Sequence, residues 1–355
     1  MKCWAILRMT FALAAVSSFQ AALATAETVG APSRWIGRTD PASGRFAWPG
    51  SGLELAFKGT RLEVVLDDPG DNSLVVEGAG EPRRLDLSKG RRSYLLAEGL
   101  EDRAHRVRLF RRTEGFFGAT TFVEAATDGA FLPVAAPERQ ILVIGDSISA
   151  GYGIEGKSRD CRFSAATENQ YLTYAAVAAR GFGAEVTTLA VSGRGLVVNH
   201  DGTAKGTLPD LMARAIPTEA ASAAAVGKEK RAEDDPSLII VHLGTNDFGG
   251  GKRPPGFDRD YAALLERLRQ THPSAFLYAA FGPMLAAADF EAADKAIAAA
   301  VAARRQAGDT AVRYLRFAPG KGGLGCDWHP NAKAHRRMAE QLSAAIAEDL
   351  GWDAP

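Results

Sequence analysis

The front part of the chain alternates hydrophobic and polar residues with a period of two. The alternation occurs in three runs, over residues 53–58, 62–66 and 106–110. Such runs are typical of strands with one buried face. Turn-forming segments rich in Gly, Pro, Asp and Asn separate them, and no helical stretch intervenes. We therefore predict an all-β sandwich over residues 27–135.

Beyond residue 135 the pattern changes to continuous apolar runs that alternate with longer amphipathic segments. The apolar runs cover residues 140–144, 238–241 and 275–278, and the segments with helical spacing cover residues 171–180, 261–270, 287–305 and 332–350. Buried strands that alternate with helices predict a parallel α/β sheet covered on both faces, here over residues 136–355. Functional sites in such a sheet form at the carboxyl ends of the strands.

The first 26 residues have the pattern of an export signal. Lys2 and Arg8 lie at the start of a short apolar run, and small residues follow it up to Ala26. A membrane anchor is the alternative, but it needs about 18 unbroken apolar residues, and Ser17 interrupts the run early. No later stretch has the length and hydrophobicity of a membrane span. We expect a signal peptide over residues 1–26 and a secreted or periplasmic protein.

Charge and cysteine content narrow the classes of function. Lys and Arg number 42, Asp and Glu also number 42, and this balance argues against nucleic acid as a partner. Three cysteines exclude a disulfide-dense scaffold. After signal removal Cys161 and Cys326 remain, and they form either one disulfide or two free buried thiols. None of the five histidines other than His329 forms a close pair with a Cys or carboxylate at metal-ligand spacing, and the proposed chemistry needs no cofactor, so we expect neither metal nor cofactor.

Candidate chemistry follows the predicted strands. Ser147 lies in a Gly-Asp-Ser block directly after a buried strand, where a strand-to-helix turn lifts a hydroxyl out of the sheet. The alternative is that Ser147 only caps the next helix. Gly193 and Asn246 follow two further strands, and with the Ser147 N–H group they can form an oxyanion hole. His329 precedes the last helix and can reach over the sheet edge as a general base.

These four positions resemble the SGNH hydrolase superfamily, in which Ser, Gly, Asn and His are the named residues. The β-rich front domain and several further blocks look like carbohydrate esterase family two, and these blocks are residues 112–114, 116–118, 161–169 and 327–331. The resemblance covers essentially the whole mature chain. It implies a jelly-roll front domain, an SGNH domain and a cofactor-independent serine esterase. Its substrate would be an acetylated polysaccharide or oligosaccharide of plant walls, such as xylan or glucomannan.

The histidine block departs from the superfamily pattern at one position. Most members carry an aspartate three residues before the histidine, whereas this chain has Cys326 there and Asp327 two residues before His329. Either Asp327 orients the imidazole through a bent loop, or a backbone carbonyl holds the ring and leaves a Ser–His dyad. Trp328 is expected to stack on a sugar ring, with packing in the core as the alternative. A bond between Cys161 and Cys326 would tie the nucleophile loop to the histidine loop.

Two other functions stay open beside the esterase. The chain could be a carbohydrate-binding protein with a weak or vestigial esterase site, since Trp328 and a β-domain suit binding as well as catalysis. It could also be an SGNH lipase or thioesterase, which would require a broad apolar cleft. Hydrolysis of nitrophenyl acetate separates a pure binder from an enzyme.

Overall fold

The computed structural model describes residues 27–220, 235–317 and 323–353. The predicted signal peptide, residues 1–26, lies outside the described residues. Of the helices that are described, none has the length and apolar character needed to cross a membrane.

The front of the chain forms two antiparallel sheets packed face to face, as predicted. One sheet has the order β3-β4-β11-β6-β9 with β1 beside β11, and the other has the order β12-β5-β10-β7-β8 with β2 beside β5. The strands are β1 Glu27–Val29, β2 Arg34–Ile36, β3 Thr39–Asp40, β4 Arg45–Phe46, β5 Gly52–Gly59, β6 Leu62–Asp68, β7 Ser73–Glu77, β8 Arg83–Asp86, β9 Gly90–Ala97, β10 Arg103–Arg111, β11 Thr120–Thr127 and β12 Ala130–Leu132. The apolar sides of β5, β6 and β10 form the core between the sheets.

The second unit is a five-stranded parallel sheet in the order β14-β13-β15-β16-β17. Its strands are β13 Gln140–Gly145, β14 Glu185–Ala190, β15 Leu238–His242, β16 Phe276–Phe281 and β17 Val312–Arg316. The helices are α1 Ser147–Ala150, α2 Tyr174–Gly181, α3 Leu208–Leu211, α4 Thr245–Phe248, α5 Phe257–Thr271, α6 Ala287–Gln306 and α7 Ala332–Leu350. Helices α5 and α6 pack on one face of the sheet, and α2 and α7 pack on the other.

Helices α2 and α5 and strand β17 differ from the sequence prediction, and α5 begins at Phe257 rather than at residue 261. Helix α2 begins at Tyr174 rather than at residue 171, because Gln170–Leu172 form a separate 3-10 turn and Thr173 is extended. Strand β17 was missed because it lies at the edge of the sheet and is only partly covered. An edge strand does not need the continuous apolar run that identifies a central parallel strand.

The two units share an extensive buried interface. Trp48 of the front unit is fully buried in the core of the parallel-sheet unit, and its indole N–H donates to the Arg214 carbonyl at 3.1 Å. Arg34 forms ion pairs with Glu54 at 2.8 Å and with Glu185 of β14 at 2.6 Å. Glu54 is fully buried although the alternating pattern predicts it on the polar face, because Arg34 and Arg106 pair with its carboxylate and Arg34 also reaches Glu185 of the second unit.

Candidate active site

The order of the strands brings three of the predicted site residues to the carboxyl end of the parallel sheet. Strand β13 lies between β14 and β15, and all three run in the same direction. Ser147 follows β13, Gly193 follows β14 and Asn246 follows β15. Their position after adjacent parallel strands places all three residues at the same end of the sheet.

Ser147 and His329 meet at this end of the sheet. The Ser147 hydroxyl lies 2.8 Å from His329 Nε2, which is hydrogen-bonding distance for proton transfer from a serine to an imidazole. Ser147 is the first residue of α1 and is buried. The helix cap is Asp146, whose carboxylate accepts the Ile148 N–H at 3.0 Å. Asp146, and not Ser147, is therefore the residue that caps α1, which rules out the alternative hypothesis for Ser147.

The other nitrogen of His329 contacts a backbone carbonyl, not a carboxylate. His329 Nδ1 lies 3.0 Å from the carbonyl oxygen of Asp327. The Asp327 carboxylate instead accepts the Tyr152 hydroxyl and the Phe163 N–H, both at 2.9 Å. Asp327 and Trp328 have positive φ angles of 49° and 65°. This left-handed turn presents the main chain of Asp327 to the ring, which is the geometry of the second alternative, a backbone carbonyl with a Ser–His dyad, and not of an orienting Asp327 side chain.

The surroundings of His329 keep its imidazole neutral. Burial lowers the pKa of His329 to about 4, although hydrogen bonding to the Asp327 carbonyl acts in the opposite direction. The ring of Tyr152 lies over the imidazole at a centroid distance of 4.2 Å and contributes to this burial. A neutral imidazole with Nδ1 protonated has a free lone pair on Nε2, and this lone pair faces the serine hydroxyl.

The predicted oxyanion donors differ in how they are engaged. Within the described part of the chain, the N–H groups of Ser147 and Gly193 donate to no protein acceptor. The Asn246 amide already donates to the Arg194 carbonyl at 2.9 Å and to the Asp146 carboxylate at 3.3 Å. Burial raises the pKa of Asp146 to about 7. The Asn246 amide can therefore bind an oxyanion only if it gives up one of these two hydrogen bonds. The hydrogen bond to Asp146 is the longer of the two.

Further residues around the site were not assigned a role from sequence. Asp247 accepts the N–H groups of three consecutive residues of the Gly193 loop at 2.8–3.0 Å, and these are Leu196, Val197 and Val198. The carboxylate of Glu114 accepts both the N–H and the hydroxyl of Ser192. Asp247 follows Asn246 directly, so the same strand-end signal could have identified it. Glu114 lies in the block 112–114 that carries the family resemblance, but its role could not be read from that block because its partner lies 78 residues away.

A disulfide joins the two catalytic loops. Cys161 and Cys326 are bonded, which settles the choice between a disulfide and free thiols. The Asp327 N–H also donates to the Cys161 carbonyl at 3.0 Å. The loop that follows α1 is thus linked covalently and by hydrogen bonds to the loop that carries His329.

Aromatic side chains lie exposed beside His329. Trp328 is 54% exposed and lies under the guanidinium of Arg159, so it is not part of the core. Phe163 stacks on Tyr152 with a centroid distance of 3.7 Å. Phe116 of the front unit is 49% exposed and contacts Phe163 at a centroid distance of 6.0 Å. Exposed apolar patches of this kind commonly mark ligand-binding surfaces.

Two protein families match the chain in succession. The family described as Carbohydrate esterase 2 N-terminal matches residues 35–137, and the GDSL-like Lipase/Acylhydrolase family matches residues 143–337. The second match includes the sequence positions of Ser147, Gly193, Asn246 and His329. The domain boundary at residues 135 and 136 stays a prediction, and it falls between the end of β12 and the start of β13.

Two curated proteins are similar to most of the chain. The Cellulase/esterase CelE of Acetivibrio thermocellus is 32% identical over 88% of this chain, which spans only 39% of that enzyme. An Acetylxylan esterase / glucomannan deacetylase of Cellvibrio japonicus is 27% identical, with 98% of each chain covered.

A solved structure agrees with the order of the two units. The structure of a family two carbohydrate esterase from Clostridium thermocellum in complex with cellohexaose is 31% identical, with a TM-score of 0.82. The match covers 90% of this chain and 99% of that one. With the Ser–His pair at the end of the parallel sheet, these similarities show that the chain is an SGNH-type esterase that belongs to carbohydrate esterase family two.

Proposed function

We propose that this esterase is exported and removes O-acetyl groups from plant-wall polysaccharides such as xylan and glucomannan. The observation that carries the proposal is the 2.8 Å contact between the Ser147 hydroxyl and His329 Nε2. The substrate class is supported by the relatives, one of which is described as an acetylxylan esterase and glucomannan deacetylase. Export is supported by the signal-like residues 1–26 and by the disulfide, since structural disulfides persist in oxidising compartments.

The geometry supports catalysis through an acetyl-enzyme. His329 takes the Ser147 proton while the serine oxygen attacks the acetyl carbonyl. The N–H groups of Ser147 and Gly193, with the Asn246 amide, stabilise the resulting oxyanion, and each such donor is typically worth about 2.7–4 kcal/mol. The tetrahedral intermediate expels the sugar alkoxide, which takes its proton from His329. Water then attacks the acetyl-enzyme with His329 as base, which releases acetate and restores the serine.

Trp328 is the residue that we assign to substrate binding. Trp328 directly precedes the base in the sequence and its ring is exposed, and an aromatic face there can stack on a sugar ring and direct the acetyl group toward Ser147. The exposed ring of Phe116 extends the aromatic surface onto the front domain.

Acetate release from a panel of acetylated polysaccharides tests the proposal. The wild-type protein is expected to release acetate from acetylated xylan and glucomannan, whereas Ser147→Ala and His329→Ala are expected to lose at least about 10³-fold in rate. Full activity in Ser147→Ala would eliminate this mechanism.

Carbohydrate binding with a vestigial site is the second candidate, and the exposure of Trp328 favours it equally. A binder would retain a polysaccharide in affinity electrophoresis and show no hydrolysis of nitrophenyl acetate that depends on Ser147. The proposed esterase hydrolyses this substrate, and its Ser147→Ala variant still binds the polysaccharide.

A further inference from the structure

The front domain extends a loop into the active-site region of the catalytic domain. This loop connects β10 to β11 and carries Glu114, of which only 1% of the surface is exposed. The Glu114 carboxylate accepts the Ser192 N–H at 2.6 Å, and its other oxygen accepts the Ser192 hydroxyl. Ser192 directly precedes Gly193, whose N–H group is one of the proposed oxyanion donors.

The main chain around Glu114 is itself held in place by a buried guanidinium. Arg111 donates to the carbonyls of Thr113, Glu114 and Gly118 at 2.9, 3.0 and 2.6 Å, and its side chain has no exposed surface. Several hydrogen bonds to one rigid guanidinium restrict the loop to a single conformation. Glu114 is therefore presented to the catalytic domain from a fixed base in the front domain.

The Gly193 loop receives its supports from two domains. Residues 196–198 are held by Asp247 of the catalytic domain, and the Arg194 carbonyl is held by Asn246. At Ser192 the side-chain support comes from Glu114 of the front domain. The start of the loop thus depends on a residue outside the domain that carries the reacting groups.

A second buried carboxyl group lies beside Glu114. Glu168 has no exposed surface, and its carboxyl accepts the Glu114 N–H at 3.0 Å. Burial, together with the nearby charge of Glu114, raises the pKa of Glu168 well above its usual range. Burial raises the pKa of Glu114 as well, whereas its hydrogen bonds with Glu168 and Ser192 lower it. Because the pKa of Glu168 is raised well above its usual range, the negative charge of the pair lies on Glu114, whose oxygen atoms bind the two Ser192 donors.

We propose that Glu114 of the front domain is a positioning residue for the oxyanion hole, because its contacts with the N–H and hydroxyl of Ser192 set the position of the Gly193 N–H group. The inference deepens the proposed esterase function and rests on it. Displacing a catalytic donor by about 1 Å can cost about 10²-fold in rate, so a support of this kind affects turnover even though it does not contact the substrate.

Steady-state hydrolysis of nitrophenyl acetate by the full chain tests this role. Glu114→Ala is expected to lower kcat at least about tenfold with KM changed less than about twofold, because the oxyanion forms only in the transition state. Glu114→Gln is expected to restore most of the loss, since its amide oxygen still accepts the Ser192 N–H and its NH₂ can donate to the Ser192 hydroxyl.

Glu77→Ala is the matched control. Glu77 is also a glutamate of the front domain that contacts the catalytic domain, through the Tyr171 hydroxyl at 3.1 Å, but it does not contact the Gly193 loop. It is expected to keep the wild-type kcat. Equal kcat values in Glu114→Ala and Glu77→Ala would overturn the proposal. A Glu114→Gln variant as impaired as Glu114→Ala would also contradict it.

A further variant covers the case in which Glu114→Ala does not fold. Ser192→Ala removes only the hydroxyl half of the contact, and it is expected to lower kcat about threefold or more without a matching change in KM. An unchanged kcat in this variant would overturn the proposal. Failure of the esterase function itself would look different, because the wild-type protein would then show no hydrolysis that Ser147→Ala abolishes.

Discussion

His329 is held by a carbonyl group at the position where a full triad has a carboxylate. The Asp327 carbonyl can accept the Nδ1 proton and so fix the tautomer, which leaves Nε2 for Ser147. A carbonyl carries only a partial charge, so it stabilises the imidazolium less than an aspartate does. The carbonyl therefore raises the pKa of His329 too little to offset burial, and the pKa lies below its ordinary value.

The pH dependence of activity follows from this low pKa. Protonated His329 cannot accept the Ser147 proton, so kcat/KM is expected to fall as the pH drops through about 4. Above about pH 5.5 the imidazole is almost fully neutral, and protonation of His329 should no longer limit kcat/KM. Acetate release measured between pH 3 and pH 8, a range chosen to bracket the ordinary value of about 6.5, checks this expectation. An acid limb centred near 6.5 would contradict it.

Asp327 variants separate the carboxylate from the carbonyl. The carboxylate binds Tyr152 and Phe163, not the imidazole. We expect Asp327→Asn to lose less than about tenfold in kcat, because an amide oxygen can still accept one of these donors and the carbonyl is retained. Asp327→Ala should lose far less than the roughly 10⁴-fold typical of a triad aspartate.

His329→Ala measured in the same nitrophenyl acetate assay is the reference for both Asp327 variants. A loss in Asp327→Ala as large as that in His329→Ala would show that the side chain, and not the carbonyl, orients the ring.

At the scale of elements, the regular structure and the catalytic loops depend on different forces. Helix α7 begins where Asn331 accepts the N–H groups of Lys333 and Ala334, a capping contact within four residues of sequence. The histidine loop just before it has a local hydrogen bond, from the Gly325 N–H to the His329 carbonyl at 2.7 Å, but the conformation of Asp327 also depends on distant residues. Its left-handed turn is held by the disulfide to Cys161 and by contacts with the loop after α1.

Removing the disulfide is expected to destabilise the fold. The two cysteines are separated by 165 residues, so the bond closes a long loop and restricts the unfolded chain. Cys161→Ala/Cys326→Ala should lower the free energy of unfolding by about 2–5 kcal/mol, measured by urea denaturation. Wild-type protein kept reduced should behave like the double variant, and a difference below about 1 kcal/mol from oxidised wild type would contradict the expectation.

At the scale of the whole molecule, the two domains form a continuous structure around the site. Trp48 lies in the core of the catalytic domain, and Arg34 joins Glu54 to Glu185 across the interface. Glu114, also of the front domain, contacts Ser192 at the start of the Gly193 loop. The front domain is thus part of the architecture that holds the oxyanion loop.

Trp48→Ala tests this coupling of the domains. The substitution leaves a cavity in the catalytic core and an unpaired Arg214 carbonyl, so the free energy of unfolding should fall by about 3–5 kcal/mol. Urea denaturation of the wild-type protein should show one cooperative transition. Leu95→Ala, at a position that is 43% exposed, is the control and should change stability by less than about 1 kcal/mol. A comparable effect of both variants would argue against a shared core.

Local patterns in the sequence determined the two-layer β-sandwich, the parallel sheet, the positions of its long helices, the strand-end residues Ser147, Gly193 and Asn246, and His329 before the last helix. Period and hydrophobicity are sufficient for this because each strand or helix is decided by its own residues. The partner of His329 Nδ1, the burial of Glu54 and the contact of Glu114 with Ser192 were decided only by the tertiary structure. These three features depend on which distant segments pack together and on the conformation of the loops between them. The spacing of neighbouring residues determines neither the packing of distant segments nor the loop conformation.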